Sequence, residues 1–259
     1  MLCNVIGELW KKRSLIFALA LNDIKLRYKN SFLGFIWSFL EPLLILTVLF
    51  FVFTHVIKNT IEFYPLYLLL GLIIWYMFTR STTMGLSSLT DNAHIIQKIY
   101  LSKEIFVLSS CLTGFMMMLI EFVAFGVFLA IFNFVPPTTI FLFPLLLIEL
   151  FILSVGISLL SSILNVYFRD IRFIWQVVLQ AGFFLTPIIY SFEMFPANIR
   201  AILELNPISH FITTAHDLVL YGRLPTIYSV LYVMLITSSI FVLGYVVFRK
   251  KESKITEEI

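Results

Sequence analysis

Charge is what this 259-residue sequence has least of: Asp, Glu, Lys and Arg make up 13% of it, against 60% hydrophobic residues. A water-soluble chain normally carries roughly twice that share of charge, so a soluble single-core domain is excluded and the lipid bilayer is the solvent that suits this composition. Cysteine is nearly absent. Cys3 and Cys111 form no regular framework, so disulfides are not expected to hold the fold. No Gly-rich phosphate cradle of the G-x-x-x-x-G-K-[ST] type occurs. His55, His94, His210 and His216 are scattered without metal-ligand spacing. No serine stands with a plausible base, and no long polar segment could house an active site. The chain is therefore expected to be neither an ATPase nor an enzyme, with no cofactor of its own. If it pumps, the energy comes from a partner's ATP hydrolysis or from an ion gradient acting on intramembrane charges. No internal repeat or low-complexity linker divides it, so one membrane domain over residues 1–259 is expected.

Apolar residues are present in long runs. Phe alone accounts for 28 positions. A helix needs about 20 apolar residues to cross the hydrocarbon layer, and six stretches qualify: Phe32–Ile57, Phe63–Leu89, Ile105–Phe134, Ile140–Phe168, Phe173–Tyr190 and Tyr228–Phe248. Between the last two, Ser191 to Thr226 is broken by Pro196, Pro207 and Pro225. Its apolar pieces are too short to span and read as external re-entrant or interfacial helices, lined by protein or water. Before the first span, Lys11, Lys12 and Arg13 precede a short apolar stretch with no cleavage site after it, which argues against a signal peptide. Trp10, Phe17, Leu21, Ile24 and Tyr28 instead share one helical face, with Lys11, Lys25 and Lys29 elsewhere on the wheel. That pattern predicts an amphipathic helix within residues 1–30 lying in the membrane interface; a helix packed on a protein core has a similar wheel. The expected architecture is all-α, with six transmembrane helices at 32–248, this interfacial helix before them, and a tail at 249–259.

Lysine and arginine orient the spans. With both termini on one side, that side carries fourteen of them, from Lys11 through Lys98, Lys103, Arg169 and Arg172 to Lys254. The opposite side carries Lys58, Arg200 and Arg223. Both termini are therefore expected to be cytoplasmic and the 191–226 region external.

The stretch Asn22–Pro42, NDIKLRYKNSFLGFIWSFLEP, closely resembles the approach to the first span in ABC type-2 permeases that export lipid-linked polysaccharide: O-antigen, teichoic acid and capsule exporters. Arg27-Tyr28-Lys29, Ser31, Leu33-Gly34, Trp37 and Glu41-Pro42 carry the match. Tyr167-Phe168-Arg169-Asp170-Ile171, Leu185-Thr186-Pro187-Ile188-Ile189-Tyr190 and Asn206-Pro207-Ile208 resemble later family motifs, and Leu101 stands where proline is frequent. The resemblance implies an inner-membrane homodimer with two copies of a separate ATPase subunit, which would bind ATP and Mg. It also implies a channel at the dimer interface, a polyprenyl-linked glycan as substrate, and no nucleic-acid partner. It puts Arg27, Tyr28 and Trp37 at an interfacial gate, and a coupling or gate helix at residues 91–98. A type-2 permease for a small lipid or drug is the alternative in the same class. An ion-coupled secondary transporter is disfavoured by the absence of repeats.

Read for themselves, the candidate residues each carry a plainer alternative. Asp91, Asn92, His94, Gln97 and Lys98 lie in a short segment of mixed polarity that suits docking on an ATPase, or forms a connecting loop. Arg169 and Asp170 suit a second contact, or plain positive-inside anchoring. Glu41 within the first span must face protein, water or a partner, and Pro42 after it removes a helical hydrogen bond; the pair shapes the helix or touches the substrate. Arg80 attracts a pyrophosphate, or pairs with Glu41, Glu121 or Glu149. Trp75, Tyr76, Phe78, Phe183, Phe184 and Tyr190 offer rings on which sugars can stack along a channel, or simply pack between helices and lipid.

Overall fold

The computed structural model describes residues 11–29, 31–55, 61–98 and 101–258. Trp10 and Lys58 lie outside them. Among the described residues the regular structure is entirely helical: α1 (Arg13–Arg27), α2 (Trp37–His55), α3 (Tyr64–Asp91), the single turn α4 (Ala93–Ile96), α5 (Glu104–Ile131), α6 (Phe143–Tyr167), α7 (Ile171–Leu185), α8 (Ala197–Leu203), α9 (Pro207–His216) and α10 (Ile227–Glu258). Short 3-10 turns at Gly34–Ile36, Thr138–Leu142 and Phe192–Met194, and a π turn at Asp217–Tyr221, complete the order.

The long helices follow from uninterrupted apolar sequence in a medium where only an internally hydrogen-bonded backbone is stable. Four of them, α2, α5, α6 with its leading 3-10 turn, and α10, are long and apolar enough to cross a membrane. Their outward faces carry apolar side chains such as Val48 and Phe51 on α2, Val123 and Val127 on α5, and Leu231 and Leu235 on α10. This is the build of a membrane protein: apolar at the rim, polar inside.

Helix α3, 28 residues long, matches α5 in length yet is less apolar, and protein surrounds it. Twenty of its 28 residues are buried, on every face. A helix enclosed in this way can hold polar groups that lipid would reject, and Arg80, Ser81, Thr82 and Ser88 are all buried there. Its neighbours approach closely through small residues. A Cβ placed on Gly114 of α5 would lie 2.8 Å from the Ser81 nitrogen, and one on Gly156 of α6 would lie 2.8 Å from the Phe241 Cα of α10.

Three expectations differ in detail. Helix α7 ends at Leu185, five residues short of the expected span end. Fifteen residues rise about 22 Å, less than the roughly 30 Å hydrocarbon layer. Thr186 stops the helix with extended backbone before Pro187, the conformation a residue preceding proline prefers. The tail at 249–258 is no separate segment but the last turns of α10. On α1, the stripe that packs is Ala20 and Ile24, with the Ala20 carbonyl accepting from Thr113 Oγ1 of α5 at 3.4 Å. Phe17, expected on the apolar face with Ile24, is half exposed.

The non-helical stretch after α7 is tied to α3 by tyrosines. Tyr64 Oη donates to the Ile189 carbonyl at 2.9 Å, and Tyr67 Oη lies 3.0 Å from the Pro187 carbonyl and 2.9 Å from that of Tyr190. Helix α9 then packs on the same part of α3, entered by a cap in which Asn206 Oδ1 accepts from the Ile208 nitrogen at 3.1 Å.

Forcing a large side chain between tightly packed helices costs about 1–3 kcal/mol. Gly114→Leu and Gly156→Leu should each lower the thermal midpoint of the solubilised protein. Gly126→Ala, where an added Cβ meets nothing within 4 Å, should not. Equal midpoints for all three would show that the α3–α5 and α6–α10 contacts are absent.

Candidate functional site

Helices α2, α3 and α5 meet at one cluster of charge. Arg80 donates through Nη2 to Glu41 Oε2 at 2.9 Å and through Nη1 to Glu121 Oε1. Its guanidinium also lies 5.1 Å from the centre of the Tyr76 ring. Arg80 is 7% exposed and Glu121 fully enclosed, whereas Glu41 is 46% exposed. The cluster thus has one closed arm and one open arm. Glu149, the third possible partner of Arg80, has no ion pair with it among the described residues, and its Oε1 is buried without a hydrogen-bond partner.

Glu41 leads to a groove of about 460 Å³ lined by Arg27, Tyr28, Ser31, Trp37, Glu41, Leu44 and Ile45. The chain reaches it through Gly34, whose positive φ of 50° turns the backbone into α2, while Ser31 Oγ accepts from the Gly34 nitrogen at 3.2 Å. Tyr28 Oη and Ser38 Oγ are 2.6 Å apart, holding the end of α1 against the start of α2. Arg27, Tyr28 and Trp37, ten residues apart in sequence, therefore share one concave surface with Glu41. Helix α2 continues through Pro42 without a break.

The aromatic candidates divide by environment. Trp75 and Phe78 are buried between α3 and α7, with Trp75 6.0 Å from Phe183 and Phe78 6.4 Å from Trp175, both edge-on. Trp175 Nε1 donates to Thr82 Oγ1 at 3.2 Å along the same seam. Phe184 is 64% exposed, and Tyr190 Oη donates to its carbonyl at 2.9 Å.

At the end of the bundle rich in lysine and arginine, the two predicted contact segments come together. Asp91 Oδ1 lies 3.5 Å from Arg172 Nη2, and Asp91 Oδ2 accepts from Ser87 Oγ at 2.6 Å. Asn92 Nδ2 donates to the Ser88 carbonyl at 2.8 Å. His94, Gln97, Lys98, Arg169 and Asp170 are exposed around this pair, while Ile96 is buried beneath it. The last turns of α10 close the same end: Arg249 pairs with Glu104 at 3.3 Å and with Glu252 at 3.0 Å, and Lys103 Nζ donates to the Glu252 carbonyl. Burial pulls the Lys103 ammonium below the usual lysine range, with Glu252 opposing that shift.

Sequence reasoning did not single out Tyr64, Tyr67 or the residue beneath them, His216. The available signal was a Tyr pair at i and i+3, which shares a helical face and faces the Thr186-Pro187 break in the folded chain.

Long apolar helices around an enclosed one, with charge gathered between helices, define a multi-pass membrane protein. The sequence matches the family described as ABC-2 type transporter over residues 14–220, and the chain belongs to that family. It is 31% identical over 245 residues to the O-antigen export system permease protein RfbA of Klebsiella pneumoniae, covering 94% of each chain. It is 28% identical to the protein of that name from Myxococcus xanthus, covering 86% of each. With the polysialic acid transport protein KpsM of Escherichia coli it shares 25% identity, over 91% of this chain and 92% of that one.

Removing one partner of a buried ion pair leaves an uncompensated charge and costs about 3–5 kcal/mol, whereas a partly exposed pair is worth about 0–1 kcal/mol. Arg80→Met should therefore destabilise the protein strongly, and Arg80→Met with Glu121→Met much less. Glu41→Gln should shift the midpoint little. Thermal unfolding in lipid nanodiscs ranks the three variants; a Glu41→Gln loss as large as that of Arg80→Met would contradict the closed-arm, open-arm arrangement.

Proposed function

We propose that this chain is the membrane-spanning subunit of an ABC exporter that moves polyprenyl-linked polysaccharide of the O-antigen or teichoic-acid kind out of the cytoplasm. The observation that carries the reading is similarity along 94% of both chains to O-antigen export permeases. Six spans with cytoplasmic termini in the inner membrane, a homodimer, and two separate subunits that bind ATP and Mg complete it. α3 and the short α7 would make up the six spans, α7 being extended by the 186–190 segment that α3 holds in place.

In this reading the chain's own residues perform four tasks. The groove beside Arg27, Tyr28 and Trp37 receives the phosphate-bearing end of the lipid-linked glycan, since a guanidinium fork and hydroxyl donors suit phosphate oxygens. Because both ends of the Arg80 fork are held by Glu41 and Glu121, Arg80 holds α2, α3 and α5 together. Aromatic rings at the seam of α3 and α7 and beyond it, Phe183, Phe184 and Tyr190 with Tyr76, offer stacking faces to a moving sugar chain, while Trp75 and Phe78 support them from within. The surface around Asp91, Asn92, His94, Gln97 and Lys98, joined to the 169–172 turn through Arg172, receives the motion of the ATPase. Two segments linked to each other and exposed at one end of the bundle are suited to transmit such a push as one body.

Cells lacking this chain should accumulate polyprenyl-linked polymer inside and lose its surface form. Unchanged surface glycan, in a strain without a second exporter, would sink the polysaccharide reading and favour a small lipid or drug as substrate. Asp91→Lys together with Asp170→Lys, both exposed, should leave the protein folded and inserted. Export should fall by about tenfold or more, the size expected when about 1.4 kcal/mol of coupling is lost. Normal export by this variant would remove the coupling role.

A further inference from the structure

At the end of the bundle opposite Asp91 and Arg172 lies a second and larger cavity, of about 770 Å³. Its floor is the start of α3 and the end of α9, and its walls are the Ser191–Met194 turn and the Arg223–Ser229 segment leading into α10. Four carboxylates line it, Glu62, Glu193, Glu204 and Asp217, and Arg223 is a guanidinium set against them. Arg200 also lines it but is engaged with Glu204 at 2.7 Å. Tyr221 sits among Glu62, Glu193, Asp217 and Arg223, half-buried, with the Arg223 guanidinium 5.5 Å from its ring centre. The hydroxyl stays protonated, since burial and the nearby Asp217 push its ionisation up.

Two further features distinguish this cavity from a solvated acidic surface. His216 on its floor is 2% exposed and stacked on Tyr67 with centroids 3.6 Å apart. Its Nε2 lies 2.9 Å from the Tyr67 carbonyl and must donate to it, which leaves Nδ1 as a bare acceptor. That Nδ1 is buried with no hydrogen-bond partner. On the wall, Tyr228 is 74% exposed, stacked with Tyr232, and presents a flat ring face to the chamber.

Carboxylates and a bare imidazole nitrogen accept hydrogen bonds, a tyrosine hydroxyl does both, and an open ring accepts the C–H face of a pyranose. A ligand that matches must be rich in hydroxyl donors, have an apolar face, and carry no acid of its own, because like charge beside these carboxylates is repelled. We propose that this cavity is a saccharide-binding site selective for sugar units without acidic groups, and that it restricts the exported polymer to neutral or amino-bearing glycans as they leave. Its place on the export route rests on the function proposed above; its ability to bind does not.

The test uses the full chain in nanodiscs, titrated with maltotetraose, a chitosan tetramer and tetragalacturonate, and followed by saturation-transfer NMR. Maltotetraose or the chitosan tetramer should bind about tenfold or more tightly than tetragalacturonate, a difference of about 1.4 kcal/mol. Glu62→Gln with Glu193→Gln, both exposed and so compatible with the fold, should erase that discrimination. Tyr228→Leu should weaken binding of the preferred tetramer by about tenfold. Equal binding of all three sugars, binding of none, or discrimination that survives the double substitution overturns the site. If the titrations fail while cells lacking the chain trap polymer inside, the export reading stands and this site falls.

Discussion

Away from water, every backbone carbonyl and every charge has to be answered from within the protein. In this chain α3 gives the answer. Arg80 meets the two carboxylates that α2 and α5 bring into the bundle. The hydroxyls of Tyr64 and Tyr67 meet the carbonyls freed where α7 stops short. The Tyr67 carbonyl in turn accepts from His216 and fixes α9. Without these partners the carboxylates of α2 and α5 and the open backbone beyond α7 would be poorly tolerated at membrane depth.

The same helix joins the two ends of the molecule. Its last turn carries Asp91, which bridges to Arg172. Its first turns form the floor of the opposite cavity through Tyr67. Midway, Arg80 links it to the groove at the start of α2 through Glu41. Tight packing through Gly114 and Gly156 leaves little room for one helix of this set to shift alone. A displacement at the lysine- and arginine-rich end is therefore expected to move α3, α5 and the elements seated on them together.

Charge is distributed according to task. The groove beside Arg27 mixes one guanidinium with hydroxyls and an open carboxylate. The opposite cavity is dominated by carboxylates. In the proposed reading, a lipid-linked glycan with phosphate at one end and uncharged sugars along its length would meet the first with its anionic end and the second with its neutral body.

Much of this was legible in the residues. Low charge and long apolar runs determined an all-α membrane chain, since no other backbone conformation satisfies itself within lipid except a closed barrel. The Asn22–Pro42 stretch pointed to the permease family, and proline positions marked the broken region before the last helix. Folding decided the rest. Periodicity could not tell that α3 is enclosed on all sides, because a helix facing protein and one facing lipid are both apolar in sequence. Arg80 had three acidic candidates, and only the packing of α2 and α5 against α3 selected Glu41 and Glu121 over Glu149. Trp75 and Phe78 were indistinguishable from Phe184 by type, yet the first two are enclosed by α7 and the last is not. Composition and local pattern determined which solvent the chain occupies and where helices form, because those depend on each residue's own transfer energy and torsions. Which polar groups meet depended on tertiary structure, because partners 41, 39, 81 and 149 residues apart, in Arg80–Glu121, Arg80–Glu41, Asp91–Arg172 and Tyr67–His216, are brought together only when the helices pack.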